Sequence, residues 1–271
     1  MSTERLQGRN PVIEALQRRR RAVRLIRLDE GAQPDPKLDR LLTLARDQKV
    51  PVERVPRRLL DRLAGGDVHN GVVADAEPLP QHSVNSLLDE LADATDPFLV
   101  MVDELSYEHN LGAILRSCLG AGVNGLITPT RRTVSMSPVV ARVSMGAVEE
   151  VPVVHEGLSS ALKRCKKAGL KVVGADMDGR PYHEVDLTGP LLILLGGESK
   201  GLTDPLRKRC DEIVSVPLLG GLESLNVSVT AGVLLFERTR QQAVAANAAT
   251  RRDADDREAL RLARARLEEA E

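Results

Sequence analysis

Three stretches of this chain hold residues whose types and spacing could do chemistry. The first runs from Asp103 to Arg116 behind the apolar segment Phe98–Val102. It places Asn110 where it could cap a helix, and Gly112 and Ala113 where another backbone could approach closely. Arg116 is the lone basic residue of an acidic region. An arginine, with a pKa above about 12, is a poor general base, but its planar fork holds a phosphate through paired hydrogen bonds. Taken by itself, Arg116 also reads as half of a salt bridge to Glu108.

The second stretch, Gly196-Gly197-Glu198-Ser199-Lys200-Gly201, follows the apolar run Leu191–Leu195. Glycines directly after a strand let a ligand come close to the main chain. The stretch has neither the GxGxxG dinucleotide pattern nor the GxxxxGK[ST] phosphate loop. Alone, it is a glycine turn. The third stretch enters from Ile213–Val216 and Pro217 and presents Glu223, Ser224, Asn226 and Ser228 at the mouth of an apolar segment. A helix cap needs one such residue, Ser224 or Asn226. Further polar groups there cost core packing, so the surplus points to a bound ligand.

The elements that must position these stretches can be read from hydropathy. Short apolar runs at Phe98–Val102, Gly125–Thr128, Val151–Val154, Leu170–Ala175, Leu191–Leu195 and Ile213–Val216 alternate with helical segments such as Leu111–Ala121, Leu158–Ala168 and Val227–Arg238. Strands buried on both faces and separated by helices describe an α/β, doubly wound, mainly parallel sheet over residues 97–242. Ligands in such sheets bind beyond the carboxyl ends of the strands. Residues 1–76 form a smaller α/β unit, with a helix opened by Asn10-Pro11, strands at Ala22–Leu28, Val50–Val55 and Gly71–Ala76, and helices at Leu38–Gln48 and Leu59–Leu63. A proline-bearing, acidic linker over 77–96 holds one short helix, Val84–Leu91. Residues 243–271 are a charged tail with a thin apolar stripe, between a marginal helix and disorder.

Composition narrows the function classes. The chain has 271 residues with 42% apolar and 28% charged content, enough for a sizeable core. Aromatics make up only 1%, which argues against platforms that stack single-stranded bases on Phe and Tyr. The net charge of −1 hides a gradient. Residues 1–28 carry eight arginines against Glu4 and Glu14, and residues 76–130 carry eight carboxylates against Arg116. Arg5, Arg9, Arg18, Arg19, Arg20 and Arg21 are therefore candidates for contact with a nucleic-acid backbone, the plainer account being a solvated helix end. Three distant cysteines suit a reducing compartment, and five histidines show no zinc spacing, so no metal is expected. No signal peptide and no membrane-spanning run are expected, and a cytoplasmic location is expected.

Taken together, Asn110–Arg116 (NLGAILR), Leu195–Leu202 (LGGESKGL) and Val216–Val229 (VPLLGGLESLNVSV) resemble, in order and spacing, the three motifs of the TrmH branch of the SPOUT RNA methyltransferases. Ser135–Pro152 resembles the segment these enzymes carry between the first two motifs. GRNPVIEAL near the start and His69–Ala74 are similar to the amino-terminal RNA-binding domain of the rRNA guanosine 2′-O-methyltransferase subgroup. The resemblance implies a trefoil knot in the catalytic domain, rare among folds, and a homodimer whose partner subunit completes each active site. It also implies S-adenosylmethionine held by Leu195, Gly196, Gly197, Val216, Leu218, Leu225 and Asn226. By the same resemblance Arg116 is the key catalytic residue, supported by Asn110, Glu198, Ser224 and Asn226. One position departs from the pattern: Glu108 stands where members often have proline.

The expected activity is methylation of a ribose 2′-hydroxyl, on a guanosine of 23S rRNA. The same chemistry on tRNA is the nearest alternative. A non-catalytic RNA-binding protein of this fold would not need the retained polar residues, and a nicotinamide dehydrogenase lacks its glycine pattern.

Overall fold

The computed structural model describes residues 3–131, 133–197 and 201–268, with side chains described as far as 248. The amino-terminal unit comprises β1 (Glu4–Gln7), α1 (Arg9–Arg18), β2 (Val23–Asp29), α2 (Pro36–Asp47), β3 (Val52–Val55), α3 (Arg57–Ala64) and β4 (Val72–Ala76). Its sheet has the order β1-β4-β2-β3, with β2 and β3 parallel and the other pairs antiparallel. Local chemistry sets the helix ends. Asp35 accepts from the amides of Lys37 and Leu38 at 2.9 and 3.0 Å, and Pro36 opens α2. Leu16, Ile26, Leu28 and Leu41, all fully buried, fill the core between helices and sheet. Strand β1 has no counterpart in the sequence reading, because four residues are too few to show a period.

After α4 (Val84–Glu90), entered through a Ser83 capping box, the chain builds a second sheet. Its elements are β5 (Phe98–Val102), α5 (Glu108–Gly120), β6 (Gly125–Thr128), α6 (Pro138–Val143), β7 (Val153–His155), α7 (Leu158–Lys167), β8 (Lys171–Pro181), β9 (Leu191–Leu195), α8 (Asp204–Arg207), β10 (Glu212–Ser215) and α9 (Val227–Glu268). All six strands are parallel, in the order β10-β8-β9-β5-β6-β7. Alternation along each central strand feeds two cores. Val100, Leu191 and Ile193 face Ile114, Leu115 and Leu235, whereas Leu99, Met101, Leu192 and Leu194 face Leu162, Cys165 and Leu206. That two-sided burial is why these strands read as unbroken apolar runs.

Two departures from the sequence reading shape the site. Strand β8 runs on past Ala175, and its ladder with β10 jumps from the pair Ile213/Gly174 to the pair Val214/Arg180. Ala175 still pairs with Leu195 and Gly179 packs on the Val214 backbone, so residues 176–178 arch out between them at the carboxyl edge of the sheet. Helix α9 continues to Glu268, a span of about 63 Å at 1.5 Å per residue. Among the described residues, no helix is long and apolar enough to cross a membrane, and no group of side chains could hold a metal ion.

A charged seam joins the two units. The Arg21 guanidinium, 3% exposed, grips the Glu149 carboxylate, 1% exposed, through Nε at 3.0 Å and through Nη2, and reaches Glu4 at 2.7 Å. Burial pushes the Glu149 carboxyl up, and the hydrogen bond from Arg21 works against that rise. Close by, the Glu14 side chain lies over Gly146, whose φ of +88° and lack of a Cβ leave it room. Helix α6 then packs its Val143 directly on Gly112 of α5, so the close approach expected at Gly112 is made by α6.

Candidate active site

Val102, Leu195 and Ala175 end level with one another on β5, β9 and β8. The chain leaves β9 through Gly196-Gly197 and β10 through Val216-Pro217-Leu218 at this same edge. Together with the outward bend of β8, these loops wall a cleft of about 940 Å³, a size suited to a nucleoside-containing ligand. The glycines are needed for the loop itself. A Cβ on Gly196 would stand 2.5 Å from the Gly201 carbonyl carbon and 2.7 Å from the Leu202 nitrogen. Gly197 and Gly201 exchange backbone hydrogen bonds at 2.9 and 3.1 Å, which ties the two described sides of the second stretch together.

All seven residues expected to hold the donor, Leu195, Gly196, Gly197, Val216, Leu218, Leu225 and Asn226, line this cleft, as do Asn110 and Ser224. The first and third stretches meet directly. Asn226 Nδ2 donates to Asn110 Oδ1 at 3.1 Å, and Asn226 Oδ1 accepts from the Ser228 amide at 2.8 Å and hydroxyl at 2.7 Å. Asn226 is thus the residue that caps α9. Asn110 does not cap α5, which begins two residues earlier after Tyr107; it sits in the first turn and serves the contact with Asn226. Glu198 lies outside the described residues.

The wall also contains groups the sequence did not single out: Tyr107, Asp176, Ser215 and Thr230. Asp176 was hidden because the strand reads as ending at Ala175. Thr230 stands one turn past Asn226, a spacing that could have found it. The lining is chemically one-sided. Asp176 and Glu223 contribute carboxylates, while no lysine or arginine lines the cleft among the described residues. Phosphates of a dinucleotide or of ATP would meet these carboxylates with no lysine or arginine in the described lining to hold them, Arg207 being engaged with Asp176 from behind the wall. A donor with a sulfonium and an ammonium, an adenine and a ribose fits the carboxylates, the backbone groups and the apolar faces of Leu195, Val214, Leu218 and Leu234.

The model of the SpoU rRNA Methylase family matches residues 97–236, and a model for the substrate-binding domain of RNA 2′-O ribose methyltransferases matches residues 5–82. The chain belongs to the SpoU rRNA methylase family. It is 38% identical over 245 residues to the 23S rRNA (guanosine-2′-O-)-methyltransferase RlmB of Pseudomonas putida, covering 89% of this chain and 98% of that protein. It is 40% identical to an uncharacterized tRNA/rRNA methyltransferase of Mycolicibacterium vanbaalenii, covering 89% of this chain and 77% of the relative. Among solved structures, the SpoU methyltransferase AviRb of Streptomyces viridochromogenes superposes with a TM-score of 0.76 at 26% identity, over 90% of this chain and 91% of that one. The same enzyme in complex with AdoMet gives 0.72 at 26% identity, over 88% and 90%. This SpoU family member is an S-adenosylmethionine-dependent RNA 2′-O-methyltransferase.

Its arginines divide sharply. Arg116 is exposed on the outside of α5, does not line the cleft of its own chain, and forms no ion pair among the described residues. The salt bridge to Glu108 is not made. The amino-terminal set behaves differently. Arg21 cannot meet RNA, because its side chain is buried against Glu149. Arg9 pairs with Asp35, Arg18 with Glu14 and Glu150, and Arg20 donates to the Glu150 carbonyl at 2.6 Å. Arg5 donates to the Leu63 carbonyl at 3.2 Å and lies 3.9 Å from Asp75. Arg19 alone of the six is exposed without an ion pair among the described residues, at the left-handed end of α1. Elsewhere in this unit Arg40, Arg54, Arg58 and Arg62 are exposed on α2, β3 and α3 without an ion pair among the described residues. In the sequence they are scattered, unlike the dense run at the start of the chain.

Proposed function

We propose that this enzyme methylates the ribose 2′-hydroxyl of a guanosine in 23S rRNA, working as a homodimer in the cytoplasm. The observation that carries the reading is the Asn226–Asn110 hydrogen bond at the mouth of a cleft lined by a glycine turn, a proline-led loop and no cation among the described residues. S-adenosylmethionine supplies a methyl group on a sulfonium, which needs only an aligned oxygen nucleophile. In this chain, Leu195, Gly196, Gly197, Val216, Leu218, Leu225 and Asn226 would hold the donor, largely through backbone groups, in loops that the family resemblance threads as a trefoil knot. Asn110, Ser224 and Asn226 would orient its reacting end, and the motif resemblance assigns Glu198 to the same task.

Arg116 acts across the dimer. It stands about 9 Å along α5 from Asn110 and a third of a turn away, so it faces out from its own cleft. Around it the α5–α9 surface leaves apolar groups uncovered: Leu119, Val229 and Phe236 are 38%, 51% and 50% exposed. A second copy seated there buries that patch and brings Arg116 to the partner's cleft. The guanidinium then holds a phosphate of the target nucleotide, orienting its ribose while the hydroxyl proton passes to an RNA oxygen or a neighbouring group. The exposed arginines of α2, β3 and α3, with Arg19, hold the RNA backbone, which positions the substrate without selecting its sequence.

Mapping 2′-O-methylation across rRNA and tRNA in cells with and without the protein tests the substrate. One guanosine of 23S rRNA should lose its mark; a mark lost only from tRNA overturns this choice. Sedimentation of the purified protein should give a dimer at micromolar concentration.

A further inference from the structure

We propose that the outer face of α7 and α8 is a second track for the RNA backbone, lying on the methyltransferase domain itself. The proposal rests on the RNA methyltransferase reading and extends its substrate contacts beyond the amino-terminal domain. Residues 158–169 hold Lys163, Arg164, Lys166 and Lys167, and residues 204–211 hold Arg207, Lys208 and Arg209, against only Asp204 and Asp211. The two segments are tied side by side. Arg209 Nη1 donates to the Ser159 carbonyl at 3.0 Å, and Lys166 Nζ donates to the Arg209 carbonyl at 3.0 Å.

Some of these charges are engaged at home: Arg164 with Glu156, Lys166 with Asp211, Arg207 with Asp176 and Asp178. Lys163, Lys167 and Lys208 are exposed and have no ion pair among the described residues. Lys163 and Lys167 sit one turn apart on the same face of α7, a like-charge spacing that costs helix stability. A favourable interaction with the helix carboxyl end accounts for Lys166 and Lys167. It does not account for Lys163, although Lys208 stands at the carboxyl end of the short helix α8. The ridge also reaches the active site, because Arg207 clasps Asp176 of the cleft wall at 2.6 Å.

The surface carries no exposed large hydrophobic residue. A protein partner would want apolar or aromatic anchors, and a membrane surface would want groups to insert. A phosphodiester chain needs neither, only spaced cations.

The test compares wild-type protein with the variant Lys163→Gln/Lys167→Gln/Lys208→Gln, none of which touches the cleft. Binding to a 23S rRNA transcript is measured against salt concentration. Losing three phosphate contacts should weaken affinity at least roughly tenfold near 0.1 M salt and lower the slope of log K against log salt by about 2 to 3. KM for RNA should rise with kcat unchanged, and calorimetric affinity for S-adenosylmethionine should stay as in wild type. An unchanged salt slope in a variant of normal melting temperature overturns the proposal. So does a variant that loses only its binding to anionic phospholipid vesicles. Wild-type protein that binds S-adenosylmethionine but no RNA would sink the substrate reading itself, whereas wild-type binding matched by the variant sinks the ridge alone.

Discussion

Arg21 and Arg116 carry the same guanidinium into opposite surroundings. At the seam between the two units, Arg21 is enclosed and shared between Glu149 and Glu4. On α5, Arg116 stands in solvent with no ion pair among the described residues. In sequence the first belongs to a run of arginines that suggests RNA, and the second is an isolated cation in an acidic stretch that suggests a salt bridge. The structure reverses both impressions. A dense run of charge says little until the residues that face it are known, and Glu149 is 128 positions away from Arg21.

Breaking the seam should give the largest effect. Arg21→Ala strands a buried carboxylate, which costs about 3–5 kcal/mol, a fall of about 10 °C in melting temperature for a chain of this size. Turnover per folded molecule should remain. Arg21→Met with Glu149→Leu removes both charges and should recover most of the loss in the same thermal melts. If the single change lowers turnover and leaves stability alone, the two arginines do not differ as described.

The counterpart on α5 should do the reverse. Arg116→Ala should cut kcat roughly a hundredfold or more, as loss of a positioning group does, with melting temperature and S-adenosylmethionine affinity unchanged. Loss of donor affinity with turnover preserved would refute its role. Arg116→Lys should recover little of that loss, since one ammonium cannot reproduce the fork; near-normal turnover would show that charge alone suffices.

A smaller effect sharpens the contrast through pH. Burial raises the Glu149 carboxyl above its ordinary value of about 4.3. A raised acid favours the folded state below the unfolded pKa and loses that advantage as pH climbs toward the folded value. Without Arg21 opposing the rise, the window extends further upward. The melting-temperature gap between wild type and Arg21→Ala should therefore be narrow near pH 4 and widen toward neutrality. A gap independent of pH would mean that Glu149 is not stranded as a charge.

Much of this was legible from residues alone. Phe98–Val102 and Leu191–Leu195 announce themselves because strands covered on both faces must be apolar throughout. The seven residues assigned to the donor by resemblance share one cleft because the loops leaving β9 and β10 open at the same edge of the sheet and the second of them leads into α9. What stayed hidden depended on partners distant in sequence. Asp176 follows a strand that bends instead of stopping. Asn110 looks like a cap and is instead bound to Asn226. Helix α8, four residues long, is too short to leave a period.

The kink of β8 has an architectural consequence. Its two ends are pinned by pairing, Gly174 to Ile213 and Arg180 to Val214, so the sheet does not depend on how many residues span the gap. Lengthening or trimming 176–178 would resize the mouth of the cavity while those pairings stayed in place. That short arch can therefore change the pocket's dimensions without unpairing the strands on either side of it.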